Sequence, residues 1–327
     1  MSDMVDEGFD VIGDVHGMGK ELVALLRHLG YDDSAGYFAH PTRCVVFVGD
    51  LIDRGPEQLL VLETARAMVD AGTASVVLGN HEFNAIAFHT PHRTIPFGFL
   101  RERSPKNLDQ HKDFIAQVGL GSTLHGEVIE WLRTLPLWLE LDGLRVVHAC
   151  WDEASKAKLP DGCTLTDDVL HAAVVKGTPE YHAIEVLLKG PEIPIDPPYH
   201  DKDGHHREHA RYAWWRPDAK TMFDAIEVPS GLTAHVDGEG PGTNGPAWEL
   251  AAPDAPITER PVDPYPADAP PVLFGHYWRT GTPHEPESPN VACTDFSACK
   301  GGDLVAYRWS SESTLSEANF DWVGRTP

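Results

Sequence analysis

Residues 44–55, CVVFVGDLIDRG, limit most sharply what this chain can fold into. Val45, Val46, Phe47 and Val48 make a short β-branched and aromatic run that stops at Gly49 and Asp50, and Asp53, Arg54 and Gly55 follow. Such a run, bounded by glycine, reads as a buried strand that carries polar groups at its carboxyl end. Open α/β sheets bind ligands just beyond those ends, so acids and an arginine there are placed for chemistry. The pattern recurs. Residues 9–12 run into Gly13, Asp14, Val15, His16 and Gly17; residues 75–78 into Gly79, Asn80, His81 and Glu82; residues 144–147 into His148; and residues 271–274 into Gly275 and His276.

Between these runs the pattern is helical. Leu22, Leu25, Leu26 and Leu29 recur at helical spacing, and Gly30 gives the stop for a helix over 17–30. Pro56 opens a second helix to about residue 71, where a missing N–H costs nothing. Strand and helix alternate as β-α-β-α-β, which argues for a layered α/β fold. Residues 83–135 read as mostly helical, with a polar loop near 90–106. Asp142 and Gly143 then form a hairpin turn between strands at 137–141 and 144–148. Proline and glycine become frequent over 151–271, read as an inserted cap or loop region within a single domain, 1–327. Short helices are expected there at 166–175, 180–188 and 217–225, and irregular loop at 228–271. Strand pattern returns at 291–294 and 304–309.

Composition narrows the partners. The formal net charge of −24 disfavours nucleic acid and anionic membranes, which attract lysine and arginine. No apolar run approaches the ~20 residues that span a bilayer, and the acidic amino terminus lacks an apolar core, so a cytoplasmic enzyme is the expectation. Cys44, Cys150, Cys163, Cys293 and Cys299 are odd in number and unpaired in spacing, as expected of buried thiols rather than a disulfide framework.

Asp14, His16, Asp50, Asn80, His148 and His276 together offer carboxylate, imidazole and amide donors. Mixed N and O donors suit Mn, Fe, Zn, Co or Ni rather than calcium, and no thiolate joins them. They are too many for one ion with open positions, but they suit two adjacent ions that share a carboxylate and act on a phosphoryl group. One such histidine alone would be an ordinary polar strand end; the recurrence is what points to metal.

The series GDVHG (13–17), GDLIDRG (49–55), GNHE (79–82), VHA (147–149) and GHYW (275–278) resembles the calcineurin-like metallophosphoesterase superfamily, and the DRG extension resembles its phosphoprotein-phosphatase branch. That branch includes bacterial protein phosphatases and symmetrical diadenosine tetraphosphate hydrolases. The resemblance implies a four-layer α/β/β/α sandwich and two divalent ions, most commonly Mn. Asp14 and His16 would bind the first, Asp50 would bridge, and Asn80, His148 and His276 would bind the second. It further implies direct attack of a metal-bridging hydroxide on phosphorus, His81 as general acid tuned by Asp53, Arg54 as phosphoryl clamp and Glu82 as an anchor. A second phosphate-binding arginine would be Arg216, in YAWWRPD, with Arg211 as competitor.

Ala149, Cys150 and Trp151 stand where eukaryotic members have Gly-Gly, and His16 stands where the tetraphosphate hydrolases usually carry Gln. The expected reaction is hydrolysis of phosphomonoesters, on phosphoproteins or small phosphorylated molecules. The alternative is a dinucleoside polyphosphate or a phosphodiester, with Trp214, Trp215, Tyr277 or Trp278 stacking on a base. A silent metal-holding scaffold is the remaining alternative. HDKDGHHREH (200–209) reads as a solvated loop, and Lys300, Gly301 and Gly302 as a connection between strands.

Overall fold

A computed structural model of the chain describes residues 8–160, 164–200, 206–227, 255–257, 259–283 and 285–325. Cys163, the centre of the 200–209 cluster and most of the 228–271 segment lie outside the described residues.

Alternating apolar runs and helical stripes become the elements that the pattern demands. β1 (Gly8–Ile12) leads to α1 (Gly19–His28), which buries Leu22, Leu25 and Leu26. β2 (Arg43–Phe47), α2 (Gln58–Asp70) and β3 (Ala74–Val76) complete the alternation. α2 begins at Gln58 rather than at Pro56, and the Gln58 side chain turns back to the preceding loop, donating to the Gly55 carbonyl at 2.8 Å. α3 (Asn80–His89), α4 (Pro105–Gln110), α5 (Lys112–Val118) and α6 (Thr123–Leu132) follow, with Ser104 and Ser122 capping α4 and α6. The hairpin β4 (Trp138–Leu141) and β5 (Leu144–Val147) turns at Gly143, whose φ is +80°. After it come α7 (Glu153–Lys156), α8 (Asp167–Ala173) and α9 (Pro179–Lys189). Next are β6 (Glu192–His200), β7 (His206–Tyr212), α10 (Met222–Ala225) and β8 (Ile226–Glu227). The chain closes with β9 (Val272–Phe274), β10 (Val291–Cys293), β11 (Leu304–Trp309) and β12 (Phe320–Val323).

Two compact units result, Met1–Lys189 with Pro270–Pro327, and Gly190–Ala269. In the first, a five-stranded sheet of order β12-β11-β1-β2-β3 and a four-stranded sheet of order β10-β9-β5-β4 are both mixed. Val11, Val46, Val305 and Tyr307 from one sheet and Leu144, Val146, Leu273 and Ala292 from the other share one apolar core, so the sheets pack face to face. α1 and α2 lie against the five-stranded sheet. The helices α7 to α9, expected within the inserted region, belong to this unit: α9 buries Ile184, Leu187 and Leu188, and the Leu187 carbonyl accepts from the Ala149 N–H beyond β5. Among the described residues no helix is long and apolar enough to cross a membrane. Cys44, Cys150, Cys293 and Cys299 are free thiols.

The second unit carries an antiparallel sheet of order β6-β7-β8. Residues 206–209 are therefore exposed, as their mixed charge suggested, but strand rather than loop. Three prolines in EIPIDPPYH hide β6, since proline removes ladder donors, and the register shift between Pro194 and Tyr199 falls among them. The helix expected at 217–225 shortens to α10, capped by Thr221. Trp214 is fully buried, stacked edgewise on Trp215 and Tyr265.

One buried ion cluster ties β1, β2 and β11 together. Asp10, fully buried, accepts from Arg43 Nε at 2.9 Å, Arg308 Nε at 3.1 Å and the Tyr31 hydroxyl at 2.9 Å. Burial, then the Asp10 charge, push the Tyr31 phenol above its ordinary range. Asp10→Ala leaves the buried Arg43 without its carboxylate and should cost about 3–5 kcal/mol in urea unfolding. A loss below about 1 kcal/mol would mean that the carbonyls of Phe9 and Trp309, which Arg43 also bonds, suffice.

Candidate metal centre

The strand ends of the first unit bring the polar residues together. Asp14 and His16 follow β1, Asp50 follows β2, Asn80 opens α3 after β3, His148 follows β5 and His276 follows β9. The glycines before them are steric necessities. A β-carbon on Gly275 would lie 2.1 Å from Asp14 Oδ1, and one on Gly49, whose φ is +98°, would lie 2.6 Å from the Gly79 nitrogen. His16, Asp50, Asp53, Arg54, His276 and Trp278 all have positive φ without being glycine. Each such residue carries on the order of 1–3 kcal/mol of strain that the surrounding fold must hold.

Asp50 is the shared centre. One ligand atom each of His16, Asp50 and His81 lies within 4.8 Å of the others, and the same holds for Asp50, His148 and His276. Asp14 Oδ2 is 4.0 Å from His16 Nε2, and both Asp14 oxygens accept from the His276 N–H at 3.2 Å. His16 Nδ1 donates to the Ile52 carbonyl at 2.9 Å and His148 Nδ1 donates to the Val48 carbonyl at 2.7 Å. Those bonds fix the tautomers and turn each Nε2 lone pair inward.

The donors fit a cation. His16 Nε2 is buried without a hydrogen-bond partner, 3.5 Å from Asp50 Oδ2. His148 Nε2 faces Asn80 Oδ1 at 3.1 Å and Asp50 Oδ1 at 3.4 Å. Acceptors so close repel unless positive charge lies among them. Burial, then the charges of Asp295 and Asp50, push the Asp14 carboxyl well above its ordinary range. Burial and the Arg54 charge hold His16 well below its own, so its imidazole is neutral and able to ligate.

Beside this cluster stands His81. Its Nδ1 donates to Asp53 Oδ2 at 2.5 Å, and Arg54 Nη2 donates to its Nε2 at 3.0 Å. Burial works to lower the His81 pKa, but the Asp50 charge and the bond to Asp53 outweigh it and raise it. Burial likewise works to raise Asp53, and hydrogen bonds from His111 and His81 hold it at about 2. The Arg54 guanidinium lies 4.4 Å from the Trp278 ring centroid, and Lys300 Nζ lies 3.5 Å from the same centroid.

Glu82 braces the Asp50 loop. Its carboxylate accepts from the N–H groups of Asp50 and Leu51 at 2.8 Å, Gly79 at 3.1 Å and Ile52 at 3.2 Å. Burial, then the Asp50 charge, push Glu82 up to about 7.

Arg216 and Arg211 lie in the unit Gly190–Ala269. Within it the Arg216 guanidinium donates to the carbonyls of Asp224 and Ile226 and to Glu227 at 3.1 Å, and Arg211 pairs across the sheet with Glu192 and Glu227. Trp214, Trp215 and Tyr277 are buried, whereas Trp278 is half-buried.

Three residues escaped the sequence reading. His111 donates to the second Asp53 oxygen at 2.6 Å, and the Gln58 side chain accepts from the Asp53 N–H at 2.8 Å. Asp295, fully buried, accepts from the Trp278 N–H at 2.8 Å and the Ser297 N–H at 2.9 Å. Asp295 follows the apolar end of β10, so the strand-end signal could have found it; His111, between two helices, carries no such signal.

Comparison with known proteins adds the following. Residues 9–216 match the sequence model of the calcineurin-like phosphoesterase family. An asymmetrical bis(5'-nucleosyl)-tetraphosphatase from Halalkalibacterium halodurans is 50% identical over 74 residues, which are 22% of this chain and 30% of that protein. The match thus spans under a third of that relative's length. A symmetrical bis(5'-nucleosyl)-tetraphosphatase from Hamiltonella defensa is 26% identical over 92% of this chain and 94% of its own, and one from Janthinobacterium sp. is 28% identical over 93% of each. A solved protein serine/threonine phosphatase from Saccharomyces cerevisiae, 13% identical, covers 100% of this chain and 82% of its own with a TM-score of 0.51, which speaks for the fold.

Because Glu82 shapes the loop that presents Asp50, Glu82→Ala should lower Mn²⁺ affinity about 10–100-fold in titration calorimetry. Unchanged affinity would show that the loop holds its form without the carboxylate.

Proposed function

Because this chain belongs to the calcineurin-like phosphoesterase family, we propose that it is a metal-dependent hydrolase of phosphate monoesters, acting on phosphoproteins or small phosphorylated molecules. The observation that carries the reading is the placement of Asp53, His81 and Arg54 as one bonded chain beside the donor cluster around Asp50. In this reading Asp14, His16 and Asp50 hold one divalent cation, and Asp50, Asn80, His148 and His276 hold another, with Mn as the first candidate. Cations held there supply Lewis acidity to the phosphoryl group and make water a competent nucleophile near neutral pH.

The protein's own groups do the rest. Arg54 offers a planar fork of donors to phosphoryl oxygens, aimed by its stacking on Trp278. His81 commits Nδ1–H to Asp53, and its raised pKa favours the imidazolium, whose Nε2–H protonates the leaving oxygen once Arg54 turns from Nε2 to the phosphoryl group. This route needs no protein nucleophile, and burial raises the thiol pKa values of Cys150, Cys293 and Cys299, which disfavours thiolate.

A second reading, hydrolysis of a dinucleoside polyphosphate, has two supports. The two relatives named above that match nearly the whole chain carry the tetraphosphatase name. Lys300 also places an ammonium on the same indole as Arg54, where a neighbouring phosphate would find a cation. Of the aromatics that could serve either as base platforms or as packing, Trp214, Trp215 and Tyr277 are buried.

Metal-stripped protein supplied with Mn²⁺ should recover turnover of p-nitrophenyl phosphate and a phosphopeptide. His81→Ala should lower kcat by about 10²–10⁴-fold on the phosphopeptide, and least on p-nitrophenyl phosphate, whose leaving group barely needs a proton. Bis-p-nitrophenyl phosphate and diadenosine tetraphosphate complete the assay. If Mn²⁺ binds and none of the four is cleaved, the reading fails. Preference for diadenosine tetraphosphate, with a KM that rises only for that substrate in Lys300→Ala, selects the second reading.

A further inference from the structure

Asp53 spends both carboxylate oxygens on imidazoles. Oδ2 accepts from His81 Nδ1 at 2.5 Å and Oδ1 accepts from His111 Nδ1 at 2.6 Å, while its own N–H is held by Gln58 at 2.8 Å. His111 is 5% exposed. It stands between α4 and α5, its ring stacked on Phe114 at 4.6 Å and set edgewise to Phe88 at 5.6 Å. Among the described residues its buried Nε2 finds no hydrogen-bond partner.

That last fact argues against a purely packing role. A ring sandwiched by phenylalanines is filled more favourably by another apolar side chain, because an unsatisfied buried nitrogen costs about 1–3 kcal/mol. What the imidazole adds over an apolar ring is Nδ1–H, aimed at Asp53. A carboxylate with one strong donor can turn about its Cβ–Cγ bond and exchange oxygens; a second donor on the other oxygen removes that freedom. Because α5 supports the second donor, a helix that lies outside the strand-end loops sets the plane in which His81 is held.

We propose that His111 is a positioning residue for the reaction: it locks the Asp53 carboxylate so that His81, protonated on both nitrogens, keeps Nδ1–H on Asp53 and gives its Nε2 proton to the leaving oxygen. The inference rests on the assignment of His81 as the acid, and its test separates the two.

Compare His111→Leu, which keeps apolar volume without a donor, with His111→Asn, whose amide N–H reaches the position of Nδ1. On phenyl phosphate, which needs its leaving group protonated, His111→Leu should lower kcat about 10–100-fold with little change in KM. p-Nitrophenyl phosphate should suffer far less, and His111→Asn should recover most of the loss. In a His81→Ala background His111→Leu should add nothing further. Equal losses on both phosphates, an additive effect with His81→Ala, or no advantage of Asn over Leu would overturn the proposal.

Imidazole ¹⁵N–¹H spectra supply a readout that needs no turnover. The His81 Nδ1 proton, assigned by its loss in His81→Ala, should be sharp in the wild type and in His111→Asn and exchange-broadened in His111→Leu. An unaltered resonance in His111→Leu overturns the proposal even if the protein cleaves neither phosphate, in which case the reaction assigned above fails separately.

Discussion

Everything in the candidate site depends on one buried carboxylate. Asp50 is 1% exposed, at a positive φ of +49°, with imidazole nitrogens of His16 and His148 at 3.5 and 3.4 Å and the His81 N–H donating to it at 2.9 Å. A lone carboxylate at that depth would be costly in free energy. Surrounded by imidazole nitrogens and set in a loop that Glu82 braces through four backbone N–H groups, it becomes the point that two sets of donors share. The strained φ values nearby mark where the fold holds backbone away from its preferred state to keep those donors converged.

The two sheets make that convergence possible. β1, β2 and β3 run parallel in one sheet, and β5 and β9 run parallel in the other, so their carboxyl ends deliver polar residues to a common edge. The core between the sheets, with Val46 and Tyr307 facing Val146 and Leu273, sets the spacing of that edge. Packing stability and site geometry are therefore coupled: the apolar residues of each strand hold the polar residue at its end in register.

Around the cluster, His81 and Arg54 are tied into a chain of donors that runs from Trp278 to Asp53. Asp295 fixes the loop of Trp278 through its backbone N–H, and Gln58 and His111 fix Asp53. Gln58 and His111 come from helical segments rather than from the strand ends that carry the donors, which separates the positioning of His81 from that of the donor cluster around Asp50.

The sequence by itself determined the layered α/β class, most strand positions and the identity of the polar strand ends. Local chemistry suffices for that: β-branched runs, glycines where a β-carbon cannot fit, and helical leucine spacing are all short-range signals. It missed β6 among its prolines, the short edge strand β12, and the assignment of α7 to α9 to the first unit, because pairing and packing partners lie far along the chain. The resemblance already implied a shared Asp50; only the tertiary structure decided that Trp214 and Trp215 are buried and that His111 meets Asp53 from 58 positions away. A histidine between two helices carries no local mark of the carboxylate it will hold, since that contact exists only once separate elements have packed.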